Sequence, residues 1–183
     1  LIEYFSLSVD GYYGNIKDKI VAVPTMFIWK MMNVGKVETL GIDINMVTEL
    51  KWSEGWKTDF TTSYNYMQAQ DVTDPASKVW KTQIAYTPKH SGAGSCTMIT
   101  PWVNVTYNVI YSSKRYTSSY NSADNLMDAY VDHGLSISRK LSFGEHTLRV
   151  QLDALNLSNK NYEIVRFYPM PGRNYKLTVN YQF

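Results

Sequence analysis

The sequence predicts an all-β fold of antiparallel strands, in the form of a transmembrane β-barrel wall. Three observations lead there. Apolar and polar residues alternate along most of the chain and up to its last residue. In "GRNYKLTVNYQF" (172–183), Tyr175, Leu177, Val179, Tyr181 and Phe183 alternate with Lys176, Thr178, Asn180 and Gln182. Such alternation describes a strand whose two faces meet two different environments. The alternating stretches are long, as at 56–71 and 98–114. Globular strands average about 5–6 residues, whereas a tilted membrane strand needs ~9–11 within the bilayer alone. Finally, short and long connections take turns along the chain, as they do in outer-membrane barrels.

Eight strands follow in order. The first covers roughly 3–23, with Leu7, Val9 and Ile20 among its apolar positions. The second covers roughly 32–50, where Ile42, Ile44 and Met46 alternate with Asp43 and Asn45. In the third, 56–71, Phe60, Tyr64 and Tyr66 oppose Thr61, Ser63 and Asn65. The fourth is 79–87, and the fifth is 98–114, where Val103, Val105, Tyr107, Val109 and Tyr111 alternate with polar residues. The sixth is 128–141. The seventh, 146–157, sets Leu148, Val150 and Leu152 against Arg149, Gln151 and Asp153. The C-terminal stretch is the eighth. "KWSEGW", "PKHSGAGSC" and "SFGE" read as tight hairpin turns. "PTMFIWK", "DVTDPAS", "YTSSYNSADN" and "SNKNYEIVRFYPMPG" read as the longer loops of the opposite end.

Composition narrows the class. The 183 residues suit one domain, and a net charge of +2 implies no nucleic-acid partner. Fifteen Tyr and five Trp suit surfaces that are dry at one end and wet at the other, such as a membrane interface. No run approaches the ~18–20 apolar residues of a spanning helix. Cys96 is the only cysteine, so no intrachain disulfide or cysteine-built metal site forms. His90, His133 and His146 fall on separate elements, and Ser136 and Ser138 near His133 do not make a triad. No enzymatic activity, cofactor or metal is expected.

Two kinds of site are expected instead. Met26, Phe27 and Trp29 in the first long loop, Tyr116, Tyr120 and Asn121 in the third, and Phe167 and Tyr168 in the last are candidate ligand contacts. Met and the aromatics adapt to amphipathic ligands, and Asn adds hydrogen bonds. The charges Asp43, Arg149 and Asp153 fall on the polar side of the alternation and are expected to face the lumen. On the lipid side each charge would cost ~2–4 kcal/mol at the bilayer midplane.

Several segments resemble a known family. "NLSNKNYEIVRFYPMPGRNYKLTVNYQF" (156–183) is similar to the last hairpin of TonB-dependent outer-membrane receptors. "YYGNIKDKIVAVP" (12–24) and "NVGKVETLGIDI" (33–44) resemble an earlier hairpin of the same barrels. "AQDVTDP" (69–75) and "YTPKHSG" (86–92) look like the cobalamin and siderophore receptors of Bacteroidetes-type bacteria. The resemblance implies that residues 1–183 are the C-terminal part of a 22-stranded, plugged barrel in the Gram-negative outer membrane. The plug and the box that binds TonB would lie outside this chain. Tyr175, Leu177, Val179, Tyr181 and Phe183 would be the closing strand and the assembly signal. The implied function is active uptake of a large, scarce nutrient, cobalamin first and an iron-siderophore second. The implied partners are outer-membrane lipid, the remaining strands and plug, the TonB complex, and a surface lipoprotein over the outer loops. Two other readings stay open from the residues alone. One is a complete eight-stranded structural or adhesive barrel, and the other is a soluble β-sandwich binding module.

Overall fold

The protein is described by a computed structural model. It describes residues 1–24 and 28–183, with the side chains at 21–24, 29, 32 and 34 outside that description. The chain forms one antiparallel eight-stranded sheet in which every strand pairs with its neighbour in sequence. The strands are β1 (Ile2–Pro24), β2 (Trp29–Ser53), β3 (Trp56–Asp71), β4 (His90–Ile99), β5 (Asn104–Ser112), β6 (Tyr130–Phe143), β7 (His146–Leu155) and β8 (Asn174–Gln182).

Directly paired residues of antiparallel strands share a face. The register can therefore be followed across the whole sheet. One row reads Phe5, Thr48, Phe60, Cys96, Tyr107, Leu135, Ala154 and Tyr175 from β1 to β8. The row beside it reads Tyr4, Glu49, Asp59, Thr97, Thr106, Ser136, Asp153 and Lys176. One face is thus apolar across all eight strands and the other is polar. Among the described residues nothing packs over the apolar face: Leu7 is 55% exposed, Val9 61% and Leu177 66%. The buried hydrophobic residues are Val37, Ala69, Ile84, Ala85 and Met127, all towards the long-loop end. A soluble sandwich would bury its apolar face under a second sheet, and no such sheet is present among the described residues. A complete eight-stranded ring would pair β1 with β8. The sheet instead has these two strands at its edges.

One of the eight expected strands, 79–87, lies outside the sheet, and the fifth begins later than expected, at Asn104. Residues 79–87 form an irregular loop that meets the sheet by a single bridge, Gln70 to Gln83. Lys81 and Tyr86 have φ values of 58° and 55°, which break extended structure. The apolar spacing there serves a local cluster in which Ile84 packs with Val37 and Ala69. The segment "HSGAGSC", read as a turn, is the body of β4. Its glycines let neighbouring strands approach: a Cβ on Gly92 would lie 2.9 Å from the Ser63 carbonyl oxygen. The turn lies instead at Thr100–Val103, inside the expected fifth strand. Thr100 Oγ1 accepts from the Val103 N–H at 3.1 Å and donates to the Val103 carbonyl at 2.7 Å, while Pro101 cannot join a ladder. The asymmetry of connections holds for the other six, but not for the first: β1 and β2 are paired up to Pro24 and Trp29, so only four residues join them where "PTMFIWK" was expected as a long loop. The turns at 53–56, 100–103 and 143–146 are short, and the loops at 72–89, 113–129 and 156–173 are long.

Gly41 is a tight point of the wall. Its partner on β1 is Tyr12, whose ring lies over it and whose hydroxyl accepts from Asn65 Nδ2 at 3.2 Å. A Cβ at Gly41 would lie 2.3 Å from the Tyr12 ring and 2.7 Å from the Tyr66 carbonyl oxygen. Gly41→Val is expected to destabilise the sheet by ~1–3 kcal/mol through overpacking. Thermal unfolding followed by circular dichroism measures this. Gly14→Ala, where an added Cβ meets nothing within 4 Å, is the control that leaves the midpoint unchanged.

Candidate functional site

The three long loops after β3, β5 and β7 fold against each other at one end of the sheet. The first contact is a clasp between Gln83 and Asn121. The Gln83 N–H donates to Asn121 Oδ1 at 3.0 Å, and Asn121 Nδ2 donates back to the Gln83 carbonyl at 3.0 Å. The asparagine side chain thus reads the glutamine backbone as a neighbouring strand would. Gln83 turns its own side chain into the sheet. Its Oε1 accepts from the Ala69 N–H at 3.1 Å, and its Nε2 donates to the carbonyls of Met67 and Thr87 at 3.2 Å. Thr82 Oγ1 adds a bond to the Ser119 carbonyl at 2.8 Å.

The second contact is Arg115, which is buried. Its Nη2 donates to the carbonyls of Glu163 and Ile164, at 2.5 and 2.9 Å, and so joins the 113–129 loop to the 156–173 loop. Its guanidinium lies 5.3 Å from the centre of the Tyr130 ring. Burial lowers its pKa, opposed by the neighbouring Tyr130 and Tyr86 phenols and the Glu163 carboxylate. Tyr162 stacks on Tyr130 with ring centres 4.4 Å apart and donates to Asp132 Oδ2 at 2.7 Å. Burial, then the Asp132 carboxylate, raises the Tyr162 pKa, so the phenol stays a donor at neutral pH. Arg166 Nη1 reaches the Asp124 carbonyl at 2.8 Å, and Asn156 bonds Lys160 and Pro171 across the base of the last loop.

Cavities open between these contacts. One of about 650 Å³ is lined by Lys81, Lys89, Lys114, Arg115, His90 and Tyr116, with no carboxylate among its described lining residues. Another, of about 530 Å³, shares Lys114 and adds Asp128, Lys160, Tyr162, Glu163 and Arg166. Lower on the polar face, about 560 Å³ lies against Asp43, Asn65, Ser112 and Tyr130. The loop end therefore offers a cationic, partly aromatic surface, suited to an anionic or strongly hydrogen-bonding ligand. Among the described residues no three His, Cys, Asp or Glu side chains group to hold a metal.

The expected site residues divide. Met26 and Phe27 lie outside the described residues, and Trp29 begins β2 with its side chain outside the description. Tyr116 lines the largest of these cavities, and its carbonyl accepts from the Tyr86 N–H at 2.7 Å. Tyr120 is exposed at the loop surface. Asn121 is engaged in the clasp, a structural task not expected of it. Phe167 sits at φ 70° in the turn of the last loop, with Arg166 5.5 Å over its ring, and Tyr168 is exposed beside it. Asp43, Arg149 and Asp153 all fall on the polar face, with Gln151 donating to Asp153 at 2.7 Å. Tyr175, Leu177, Val179 and Tyr181 fall on the apolar face of the edge strand β8. Sequence reasoning missed Gln83, Arg115 and Tyr162. The lone arginine among tyrosines in "KRYTSSY" was the available signal for Arg115.

Comparison with known proteins adds an independent line. A family model described as TonB dependent receptor-like, beta-barrel, matches residues 2–157. The fold resembles that of the ferric preacinetobactin receptor from Acinetobacter baumannii, with a TM-score of 0.76 at 15% identity, covering 98% of this chain and 27% of that one. It also resembles a siderophore receptor from the same organism, at TM-score 0.71 and 18% identity over 96% of this chain and 26% of that one. The ferric yersiniabactin uptake receptor from Yersinia pestis matches at TM-score 0.63 and 17% identity, over 96% and 26% of the two chains. The chain spans about a quarter of the length of these relatives.

Two outcomes test the loop architecture. Asn121→Ala removes both halves of the clasp and is expected to cost about 1–3 kcal/mol locally. Hydrogen exchange of the Gln83 amide should speed up by at least tenfold while the β-strand amides keep their protection. Arg115→Met leaves the carbonyls of Glu163 and Ile164 without their donor. Limited proteolysis should then cut within 156–173 at a rate at which the wild-type loop stays intact.

Proposed function

The chain belongs to the TonB-dependent receptor β-barrel family, and from that membership we propose that it forms wall and outer loops of a receptor that imports a large, scarce nutrient across the outer membrane. The observation that carries this reading is the family match over residues 2–157 on a sheet with one exposed apolar face. Relatives in the family are outer-membrane barrels, and the apolar face would meet lipid while Asp43, Arg149 and Asp153 line the lumen. In a barrel of about 22 strands the lumen is wide enough for a plug, which in this reading lies in the same receptor outside residues 1–183. The chain would be the C-terminal part, with Phe183 and β8 closing the ring. TonB would act on the plug, and this wall would stay rigid.

For the ligand, an iron-siderophore now ranks ahead of cobalamin. Three of the matched structures are receptors for ferric preacinetobactin, a siderophore and ferric yersiniabactin. The cavity with Lys81, Lys89, Lys114 and Arg115 suits an anionic chelate better than a near-neutral corrinoid. Tyr116, Tyr120, Phe167 and Tyr168 would supply stacking around it. A surface lipoprotein over these loops fits the same reading.

Uptake of radiolabelled ferric siderophore by cells expressing the full receptor tests the proposal. Uptake should require TonB, and Lys81→Glu with Lys114→Glu should weaken binding by roughly tenfold or more. Uptake that persists without TonB would overturn the transport reading. Uptake of cobalamin alone would restore the other ligand.

A further inference from the structure

Two of the loop cavities adjoin, sharing Lys114, Leu126 and Ala129, and their walls differ in charge. The larger has cations and no carboxylate among its described lining residues. The smaller, of about 530 Å³, lies between the 113–129 and 156–173 loops and carries both signs. Lys114, Lys160 and Arg166 line it together with the carboxylates of Asp128 and Glu163.

Part of its polar surface is already engaged. Tyr162 donates to Asp132, Arg166 Nη1 donates to the Asp124 carbonyl, and Glu163 Oε2 accepts from the Phe167 N–H at 3.1 Å. What stays open is charged. The ion pairs of the described residues lie at the other end of the sheet, among Glu3, Glu49, Lys51, Lys57 and Asp59. The ammonium groups of Lys114 and Lys160, the Asp128 carboxylate and Glu163 Oε1 therefore face one volume without pairing with each other. A lone anion placed there is attracted by the lysines and repelled by the two carboxylates. A lone cation meets the reverse. A ligand that carries both charges is attracted at both ends.

We propose that this cavity binds a zwitterionic moiety, the ammonium and carboxylate of an amino acid or short peptide. Asp128 and Glu163 hold the ammonium, Lys114 and Lys160 hold the carboxylate, and Leu126 and the Tyr162 ring give the carbon chain an apolar floor. The source of the moiety rests on the transport reading: it is an arm of the imported ligand. Because the cavities share Lys114, the anionic part of the same ligand lies next door among Lys81, Lys89 and Arg115. Imported ligands with an amino-acid or peptide arm are then preferred over equally anionic ones without it.

The test titrates full-length receptor in detergent with trialanine, with dissociation constants read by saturation-transfer NMR. The peptide is used uncapped, acetylated at its amine, or amidated at its carboxyl. Lys81→Gln and Lys89→Gln are present throughout, so that the neighbouring cavity draws no anion to itself. The uncapped peptide should bind roughly fivefold or more tightly than either capped form. Asp128→Asn with Glu163→Gln should abolish the preference over the acetylated form and keep the one over the amide. Lys114→Gln with Lys160→Gln should do the opposite. Each double variant thus retains one preference, which shows that its loops are folded. Equal or tighter binding of the acetylated peptide would mean a plain anion site and would overturn the proposal. Absence of saturable binding by the uncapped peptide would overturn it too, as would preferences that survive both double variants. Such a failure leaves TonB-dependent uptake of a ferric chelate as it was. Uptake without TonB would leave the peptide preferences as they were, so the two readings fail separately.

Discussion

Strand register is the constraint on which the rest of this structure depends. Seven consecutive ladders each set one strand against the next, and every ladder keeps paired residues on a shared face. A slip of one residue in any of them would carry the charges of one strand onto the apolar side. The cost of such a slip is highest where charges are most central. Asp43, Asp59 and Asp153 all sit on the polar face, in rows adjacent to Ile42, Phe60 and Leu152. Register and solvent preference thus specify each other, and no buried core is needed to hold the sheet in place. Backbone pairing and the environment of each face replace it.

The loops follow a different logic. They have no alternating pattern to place them, so they are held by single side chains that satisfy backbone groups. Asn121 completes the pairing of Gln83, Arg115 gathers three carbonyls, and Asn156 closes the base of the last loop. These are polar substitutes for strand pairing, and they turn three separate connections into one surface. That surface is cationic because Lys81, Lys89 and Lys114 line one cavity together with Arg115. Scaffold and cavity lining overlap, since Gln83, Asn121 and Arg115 tie the loops together and also line the largest of the loop cavities described.

What could be read from the sequence follows the same division. Alternation located seven of the eight strands and the polar placement of Asp43, Arg149 and Asp153, because a period of two survives in the sequence whatever lies beyond it. It failed where small residues answer to a neighbouring strand. The glycines of β4 look like turn residues until Tyr64 and Tyr111 are seen on either side. It failed again at 79–87, where Ile84 obeys a three-residue cluster and not a sheet. The candidate site was legible only as a set of loops. Arg115 and Gln83 act through carbonyl groups far away in the chain, and nothing local to either residue records those partners.

The sheet is a meander, with each strand between the two edges hydrogen-bonded to the strand before and after it and no crossover among the described strands. Such a wall is additive along its circumference, much as a repeat protein is along its axis. Removing or inserting one hairpin re-forms a single ladder and leaves the others as they were. The diameter of the finished ring is then a quantity that evolution can change in steps of two strands. The loops can diversify one hairpin at a time, limited only by contacts such as the clasp that tie neighbouring loops together.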